Sequence, residues 1–282
     1  MTKSLKALIF SIIFAPLLFI SYDGEPESSK DGYKEPITGM EFVFVKGGCF
    51  EMGDTFGDGD SDERPVHTVC LDDFYMGKYE VTQGQWEILM DSNPSYFKLG
   101  DDYPVDNVSW NDALEFIKKL NHKTGKAYRL PREAQWEYAA RSRGKRDKWP
   151  GTSSESELEE YVWYDKNSGE RTHPVGQKRP NNLGLYDMGG NVWEWCFDWY
   201  HKDYYSKSPK KNPEGLDKGL FKGLRGGSMM FKSHFARASA RTGFIPSSPH
   251  NYFFGFRLAH SGDSFLSFAK KSKCLKRDKS GI

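Results

Sequence analysis

One fifteen-residue stretch, NNLGLYDMGGNVWEW at residues 181–195, constrains the fold of this chain more than any other segment. Large apolar side chains that suit a protein core are mixed along it with carboxylates and two adjacent glycines. Adjacent glycines disfavour a helix, and they interrupt the alternation that a half-buried strand requires. The stretch therefore predicts a tight, ordered loop that directs oxygen atoms inward. Its polar and glycine residues are Asp187, Gly189, Gly190, Asn191 and Glu194.

The composition indicates a loop-rich globular domain. Of the 282 residues, 28 are glycine and 14 are proline, which favours short strands joined by many turns. Aromatic residues make up 15% of the chain, and their side chains bury a large area with few residues. The net charge of +1 creates no overall field that would attract nucleic acid, so nucleic acid is not expected as a partner.

The N-terminus has the pattern of an export signal. Lys3 and Lys6 precede an apolar run over residues 7–20, which is short for a membrane span and typical of a secretory signal. Because no small-x-small cleavage site follows, residues 1–21 are predicted to be a signal peptide or an uncleaved N-terminal anchor. Residues 22–38 are predicted to be a linker. The protein is expected to be extracytoplasmic, whether periplasmic, secreted or N-terminally anchored, with no membrane span beyond any such anchor.

Residues 39–260 are predicted to form the structured domain. Three helices are expected in it, one beginning at the T-x-x-Q capping box of Thr82, one after Ser109 and one at Pro131. The remainder is predicted to consist of short strands and loops. Residues 261–282 are basic and are predicted to be a disordered tail, with contact to a membrane as the alternative.

Two local patterns precede the first predicted helix. The alternating segment EFVFV at 41–45 is followed by a Gly-Gly turn and CFEMG, which predicts a hairpin. The acidic run GDGDSDER at 57–64 has the density of a calcium loop. However, Glu63 stands where an EF-hand requires glycine, and Val69 stands where it requires the final glutamate. This run is therefore interpreted as a solvated surface loop.

The cysteines give a prediction about redox state. Cys49 and Cys70 lie in strand-like segments on either side of the acidic run. In an exported protein these two residues are expected to form a disulfide, and the alternative is a pair of buried thiols. Cys196 and Cys274 have no evident partner in the sequence.

Four motifs give the chain a family resemblance. They are YRLPREAQWEYAARS at 128–142, GLYDMGGNVWEW at 184–195, RGGS at 225–228 and GFRLA at 255–259. In this order they resemble the formylglycine-generating enzyme, or sulfatase-modifying factor, family over about residues 40–260. The resemblance implies an α+β domain with a single C-type-lectin-like fold that is rich in loops and low in regular secondary structure.

The resemblance implies that the 181–195 stretch binds calcium. In the family this loop holds a calcium ion, and the matching ligands here are the side chains of Asp187 and Glu194 and the backbone carbonyls of Gly190 and Val192. Calcium prefers six to eight hard oxygen ligands, which agrees with this donor set. The alternative is a tight turn without metal, in which arginines pair with the carboxylates. A second calcium loop of the family follows a Tyr-Ala-Asn element, and the nearest match here, Tyr-Val-Trp, lacks the asparagine.

The catalytic centre departs from the family. Family enzymes oxidise a substrate cysteine with two cysteines of their own that hold copper(I), a soft ion that thiolates suit. Counting three and eight positions from Ser228 gives Phe231 and Ala236, which supply no thiolate. No catalytic residue is therefore assigned, and copper is not expected. The residues expected to surround a cleft near the former centre are Ser228, Arg225, His234 and Arg237.

Three functions fit these patterns. The first is an exported, calcium-stabilised domain that cannot generate formylglycine and acts in binding or scaffolding, with an unknown protein, peptide or glycan as its partner. The second is a maturation oxidase of a secreted product, an oxidoreductase of the same superfamily without the copper cysteines. The third is a formylglycine-generating oxidase that acts on a sulfatase cysteine, which the missing thiolates disfavour.

Overall fold

The computed structural model describes residues 32–248 and 251–261 of the chain. Four α-helices occur in this part: α1 Gln83–Glu87, α2 Trp110–Thr124, α3 Glu133–Ala140 and α4 Leu158–Tyr161. Ten short strands accompany them: β1 Tyr33–Lys34, β2 Glu41–Val45, β3 Gly48–Met52, β4 His67–Leu71, β5 Phe74–Gly77, β6 Trp193–Tyr200, β7 Phe221–Arg225, β8 Arg241–Phe244, β9 Phe254–Gly255 and β10 Ala259–His260. The mixed, loop-rich content agrees with the predicted α+β class.

The strands form two four-stranded sheets and a separate hairpin. The first sheet has the order β1-β2-β5-β10, and the second has the order β8-β7-β6-β9, in which β6 and β9 run parallel. The predicted hairpin of β2 with β3 is wrong, because β2 pairs with β5 and β3 pairs with β4. Cys49 and Cys70 lie directly opposite each other on β3 and β4 and form the predicted disulfide. The disulfide links β3 to β4, and β2 pairs with β5 instead.

The helix boundaries follow the predicted caps closely. Thr82 forms its capping box at the start of α1, and Ser109 forms one at the start of α2. Helix α2 ends at Gly125, whose φ of 67° is in the left-handed region that favours glycine. Helix α3 begins at Glu133, two residues after Pro131, because the backbone of the intervening residue is extended with a ψ of 149°.

Two apolar clusters form the main core. The first contains the buried face of α2, where the Phe116 ring stacks on Trp86 of α1 at a centroid distance of 5.4 Å. The second surrounds Trp136 of α3 and includes Met76 of β5. Burying each such side chain contributes about 1.5–3 kcal/mol, so a few large residues hold many loops in place.

The folded part begins before the predicted domain boundary at residue 39. Strand β1 lies within the segment predicted as linker, and Tyr33 pairs with Phe42 of β2. Glu35 is fully buried, and its carboxylate accepts the backbone N–H groups of Ile37 and Thr38. The polar composition of this segment therefore reflects an ordered turn, and its residues 33–38 belong to the folded domain.

The predicted signal peptide or anchor lies outside the described residues, as does the basic tail apart from residue 261. Within the described ranges, no helix has both the length and the apolar character needed to cross a membrane. The longest helix there, α2, has 15 residues, whereas a span needs about 20.

Candidate functional site

The 181–195 stretch forms an ordered loop that leads into β6. Asp187 and Gly190 both have positive φ, at 54° and 80°. A β-carbon at Gly190 would lie 1.9 Å from the carbonyl oxygen of Trp163, so this position requires glycine. The Gly190 amide donates to the carbonyl of Gly226 at 2.8 Å, which fastens the loop to the RGGS element.

Glu194 is held by an arginine and a tryptophan in the protein interior. Arg257 donates to both carboxylate oxygens, with Nη2 at 2.6 Å from Oε1 and Nε at 2.7 Å from Oε2. The indole N–H of Trp136 donates to Oε2 at 2.7 Å. All three side chains are buried. Pairing with arginine, the predicted alternative to calcium ligation, therefore occurs at Glu194.

Asp187 differs, because one of its oxygens lacks a partner. Its Oδ2 accepts the backbone N–H of Gly176 at 2.7 Å. Its Oδ1 is buried and makes no hydrogen bond within the described part of the chain. Burial is the main cause that raises the pKa of Asp187 to about 6. An unpartnered buried carboxylate oxygen is the feature that a bound cation would satisfy.

Glu80 joins this loop from the segment between β5 and α1. Its carboxylate accepts the backbone N–H of Val192 at 3.1 Å and the side-chain amide of Asn191 at 2.6 Å. Burial raises its pKa well above the ordinary value, and the nearby Asp187 and Glu194 raise it further. Sequence reasoning missed Glu80, because a single glutamate next to a strand has no pattern that points to a loop 111 residues away.

Three of the four predicted ligand residues are suited to hold a calcium ion. Asp187 provides a buried oxygen without a partner, and Gly190 and Val192 lie in the same loop with both residues buried. Glu194 shares its oxygens with Arg257, so it is less available than Asp187. Three buried carboxylates, those of Glu80, Asp187 and Glu194, thus lie around this arginine.

Phe231, which the resemblance aligns with the first family cysteine, packs among other aromatic rings. The Phe231 ring packs edge-on against Phe235 at 5.5 Å, Phe253 at 5.3 Å and Trp193 at 5.9 Å. Its backbone carbonyl accepts the amide of Asp165 at 3.1 Å. The surroundings of Phe231 are therefore apolar and aromatic.

Ala236, which the resemblance aligns with the second family cysteine, also lies in apolar surroundings. Ala236 is buried in a small cluster with Trp149, Leu158 and Val162. Among the described residues, the free cysteine is Cys196, which is buried and whose pKa burial raises well above the ordinary value. A buried thiol with a raised pKa remains protonated and is a poor nucleophile.

Arg225, predicted to lie beside a cleft, is an interior structural residue. Its guanidinium contacts the Glu137 carboxylate and donates to the carbonyls of Ala238 at 3.1 Å and Ala240 at 2.5 Å. Arg225 and Glu137 are fully buried. The prediction placed Arg225 in a cleft because it lies near the former catalytic centre in the sequence, but its ion pair with Glu137 of α3 keeps it in the interior.

His234 and Arg237, also assigned to the cleft, lie together beside the acidic run at 57–64. Arg237 forms a two-point ion pair with Glu63 at 2.6 and 2.8 Å. His234 Nε2 lies 2.9 Å from Asp60 Oδ2 and 3.0 Å from Arg237 Nη2. The run is therefore only partly a solvated loop, because Glu63 is fully buried.

Ser228, the remaining residue assigned to the cleft, is buried near Phe231. Its hydroxyl makes no hydrogen bond within residues 32–248 and 251–261. The Phe231 amide donates to its backbone carbonyl at 3.0 Å, which places the two residues in one turn.

A row of aromatic rings continues from Phe231 to the surface. The Phe253 ring contacts Tyr252 at 4.3 Å, and Tyr252 stacks on Tyr96 at 4.9 Å. Tyr96 is 67% exposed, which is high for so large a side chain. We call the five residues Phe235, Phe231, Phe253, Tyr252 and Tyr96 the aromatic row.

Known proteins share this sequence pattern and fold. Residues 28–261 match the sulfatase-modifying factor enzyme 1-like domain. The formylglycine-generating enzyme of Streptomyces coelicolor is 31% identical over 78% of this chain and 89% of its own length. The chaperone protein LppX of Paenibacillus barcinonensis is 35% identical over 57% of this chain and 72% of its own length.

Solved structures give the same result. The variable protein 1 of Treponema denticola has a TM-score of 0.75 at 31% identity and covers 81% of this chain and 98% of its own. PvdO from Pseudomonas aeruginosa has a TM-score of 0.73 at 28% identity and covers 82% of this chain and 98% of its own. The predicted C-type-lectin-like fold is confirmed, and this chain belongs to the sulfatase-modifying factor enzyme 1-like domain family.

Proposed function

We propose that this protein is a calcium-stabilised binding domain that acts outside the cytoplasm and does not generate formylglycine. The observation that carries the proposal is the occupancy of the two family cysteine positions. Phe231 packs among aromatic rings and Ala236 is buried in an apolar cluster. A fold can keep its architecture while its chemistry is lost, because activity depends on a few side chains.

The expected absence of formylglycine-generating activity is explained by the ligands that copper requires. Copper(I) prefers soft thiolate ligands, and the substrate thiol also needs a partner that can exchange with it. Neither Phe231 nor Ala236 supplies such a group. Cys196 does not replace them, because burial keeps its thiol protonated.

Calcium binding is supported by the unpartnered Oδ1 of Asp187 and by the three carboxylates gathered around Arg257. The Asp187 side chain and the carbonyls of Gly190 and Val192 would hold the ion. Calcium would neutralise buried negative charge there and would fasten the loop to the segment that contains Gly176.

Action outside the cytoplasm is supported by the Cys49–Cys70 disulfide. Structural disulfides persist in oxidising compartments and are rare in the cytosol. The signal-like N-terminal sequence agrees with this location.

The aromatic row is the surface that we assign to binding. It runs from Phe235 through Phe231, the position that the resemblance aligns with a family cysteine, to the exposed Tyr96 ring. Aromatic rings provide large contact areas with little loss of conformational freedom, and they suit a protein, peptide or glycan partner.

Metal analysis of the purified protein tests the proposed function. We expect about one calcium ion per chain, as for a single site, and no copper or iron. Stoichiometric copper or iron would contradict the proposal and would favour a maturation oxidase.

A further inference from the structure

A cleft of about 380 Å³ lies between α1, the turn before β2 and the loop that follows residue 100. The cleft is broadly open to solvent, so a bound ligand would lie along it with one side exposed. No residue that lines it belongs to the aromatic row or to the predicted calcium ligands. Its charged, aromatic and aliphatic lining residues are Glu41, Asp101, Asp102, Tyr79, Ile88 and Val175.

Backbone hydrogen bonds fix the acidic wall of the cleft. The carbonyl of Asp101 accepts the amide of Gly84 at 2.9 Å, and the carbonyl of Asp102 accepts the amide of Val175 at 2.9 Å. A β-carbon at Gly84 would lie only 2.9 Å from that of Asp101, so glycine permits this close approach. The backbone that carries the two aspartates is thus held in place before any ligand arrives.

The charge in the cleft is negative on balance. Glu41 is paired with Lys78 at 2.9 Å, and the side chain of Lys34 passes beside the turn at the rim. Asp101 and Asp102 are exposed and form no ion pair within the described ranges. Two neighbouring carboxylates without a cation attract a positively charged group.

The rest of the lining is suited to an alkyl chain. Ile88 is 48% exposed, and Val175 and Tyr79 are half-buried beside it. An aliphatic stem laid on these side chains would remove apolar surface from water. The same stem would carry a cationic end toward the carboxylates, as lysine and arginine side chains do at many surfaces.

We propose that this cleft binds an alkyl chain that ends in an ammonium or guanidinium group. Such a group occurs on a lysine or arginine side chain of a peptide and on a free diamine. The cleft shares no lining residue with the aromatic row or the predicted calcium ligands, and its test does not depend on the assays of the proposed function.

Amide NMR titration of the ¹⁵N-labelled protein tests this inference. N-acetyl-lysine N-methylamide should shift the signals of Gly84, Asp102 and Val175, with a dissociation constant on the order of 1 mM for so small a ligand. The neutral analogue N-acetyl-norleucine N-methylamide should bind at least about fivefold more weakly, because it lacks the charge that meets the carboxylates.

Matched variants locate the site. The double variant Asp101→Asn/Asp102→Asn should weaken binding of the lysine amide by about tenfold, whereas Asp217→Asn, at an exposed aspartate elsewhere, should leave it unchanged. A thermal melt of each variant checks that the fold is intact. Equal shifts from the neutral analogue, undiminished binding by the double variant, or no shifts at these amides would overturn the inference.

Comparison with cadaverine distinguishes the two sources of the cation. Tighter binding of the lysine amide assigns the cleft to a peptide, because its amide groups add contacts that a diamine lacks. Tighter binding of cadaverine assigns it to a free diamine. Both results support an alkyl cation as the ligand.

Discussion

Glu194 and Arg257 form a two-point ion pair in the protein interior, with hydrogen bonds of 2.6 and 2.7 Å. Arg257 also donates to the carbonyls of Gly77 at 3.0 Å and Tyr186 at 2.9 Å. One guanidinium therefore joins β6, the end of β5 and the 181–195 loop.

Replacement of Arg257 by methionine should lower the free energy of unfolding by about 3–5 kcal/mol, because it leaves the Glu194 carboxylate buried without its cation. Urea denaturation measures the change. The matched control is Arg179→Met, which removes an exposed pair with Glu160 and should change stability by less than about 1 kcal/mol. Equal losses in the two variants would contradict a structural role for the interior pair.

Removal of calcium should destabilise the wild-type protein. A ligand that binds only the native state adds about 2.7 kcal/mol at a hundredfold excess over its dissociation constant. For a domain of this size, chelation with EGTA should then lower Tm by about 5–10 °C. Asp187→Ala should abolish this chelator effect, whereas Asp217→Ala, at an exposed site, should preserve it. A wild-type Tm that does not respond to EGTA would refute the calcium site.

The Cys49–Cys70 bond should contribute about 3 kcal/mol to stability, because it closes a loop with a sequence separation of 21 residues. Denaturation of the wild type with and without reductant measures this contribution. A Cys49→Ser/Cys70→Ser variant provides the control, since reductant should no longer affect it. Identical stability of the oxidised wild type and this variant would count against a structural disulfide.

His260 should make stability depend on pH. Burial lowers its pKa from 6.5 to about 3, with Arg129 and Lys126 as further causes. Between these values the unfolded state binds a proton that the folded state does not, so the free energy of unfolding decreases as the pH falls. The slope from this residue is at most about 1.4 kcal/mol per pH unit.

The variant His260→Gln removes this titration while it retains a polar side chain. Denaturation curves are measured at about pH 7, 6, 5 and 4, which covers the interval below the ordinary histidine pKa of about 6.5. The free energy of unfolding should decline less steeply with falling pH in the variant than in the wild type. Parallel declines in the two proteins would show that His260 does not titrate in this way.

Local signals in the sequence were sufficient for the first three helices, but they missed the four-residue helix α4, which lies in a region expected to hold only strands and loops. Capping at Thr82 and Ser109 depends on residues within one turn, and Gly125 ends α2 through its own backbone freedom. Strand pairing was harder, because β2 and β3 are adjacent in the chain but belong to different sheets. Alternation of apolar residues predicts a strand without specifying its partner.

The candidate site was only partly predictable for the same reason. Asp187 and Glu194 belong to one motif, but Glu80 reaches Asn191 across 111 residues, and Glu63 reaches Arg237 across 174. No spacing rule connects residues at such distances. The family resemblance identified the loop as a candidate site. The partners of its carboxylates became known only from the tertiary structure.

The most direct test of the proposed function is an assay for formylglycine. A sulfatase-type peptide that contains cysteine is incubated with the protein, copper and oxygen, and its mass is then measured. A Phe231→Cys/Ala236→Cys variant serves as the companion, since two thiolates should restore copper(I) binding even where turnover does not return. The wild type should leave the peptide mass unchanged. The loss of mass that accompanies conversion of its thiol to an aldehyde would contradict the proposal that a chain with Phe231 and Ala236 at these positions does not generate formylglycine.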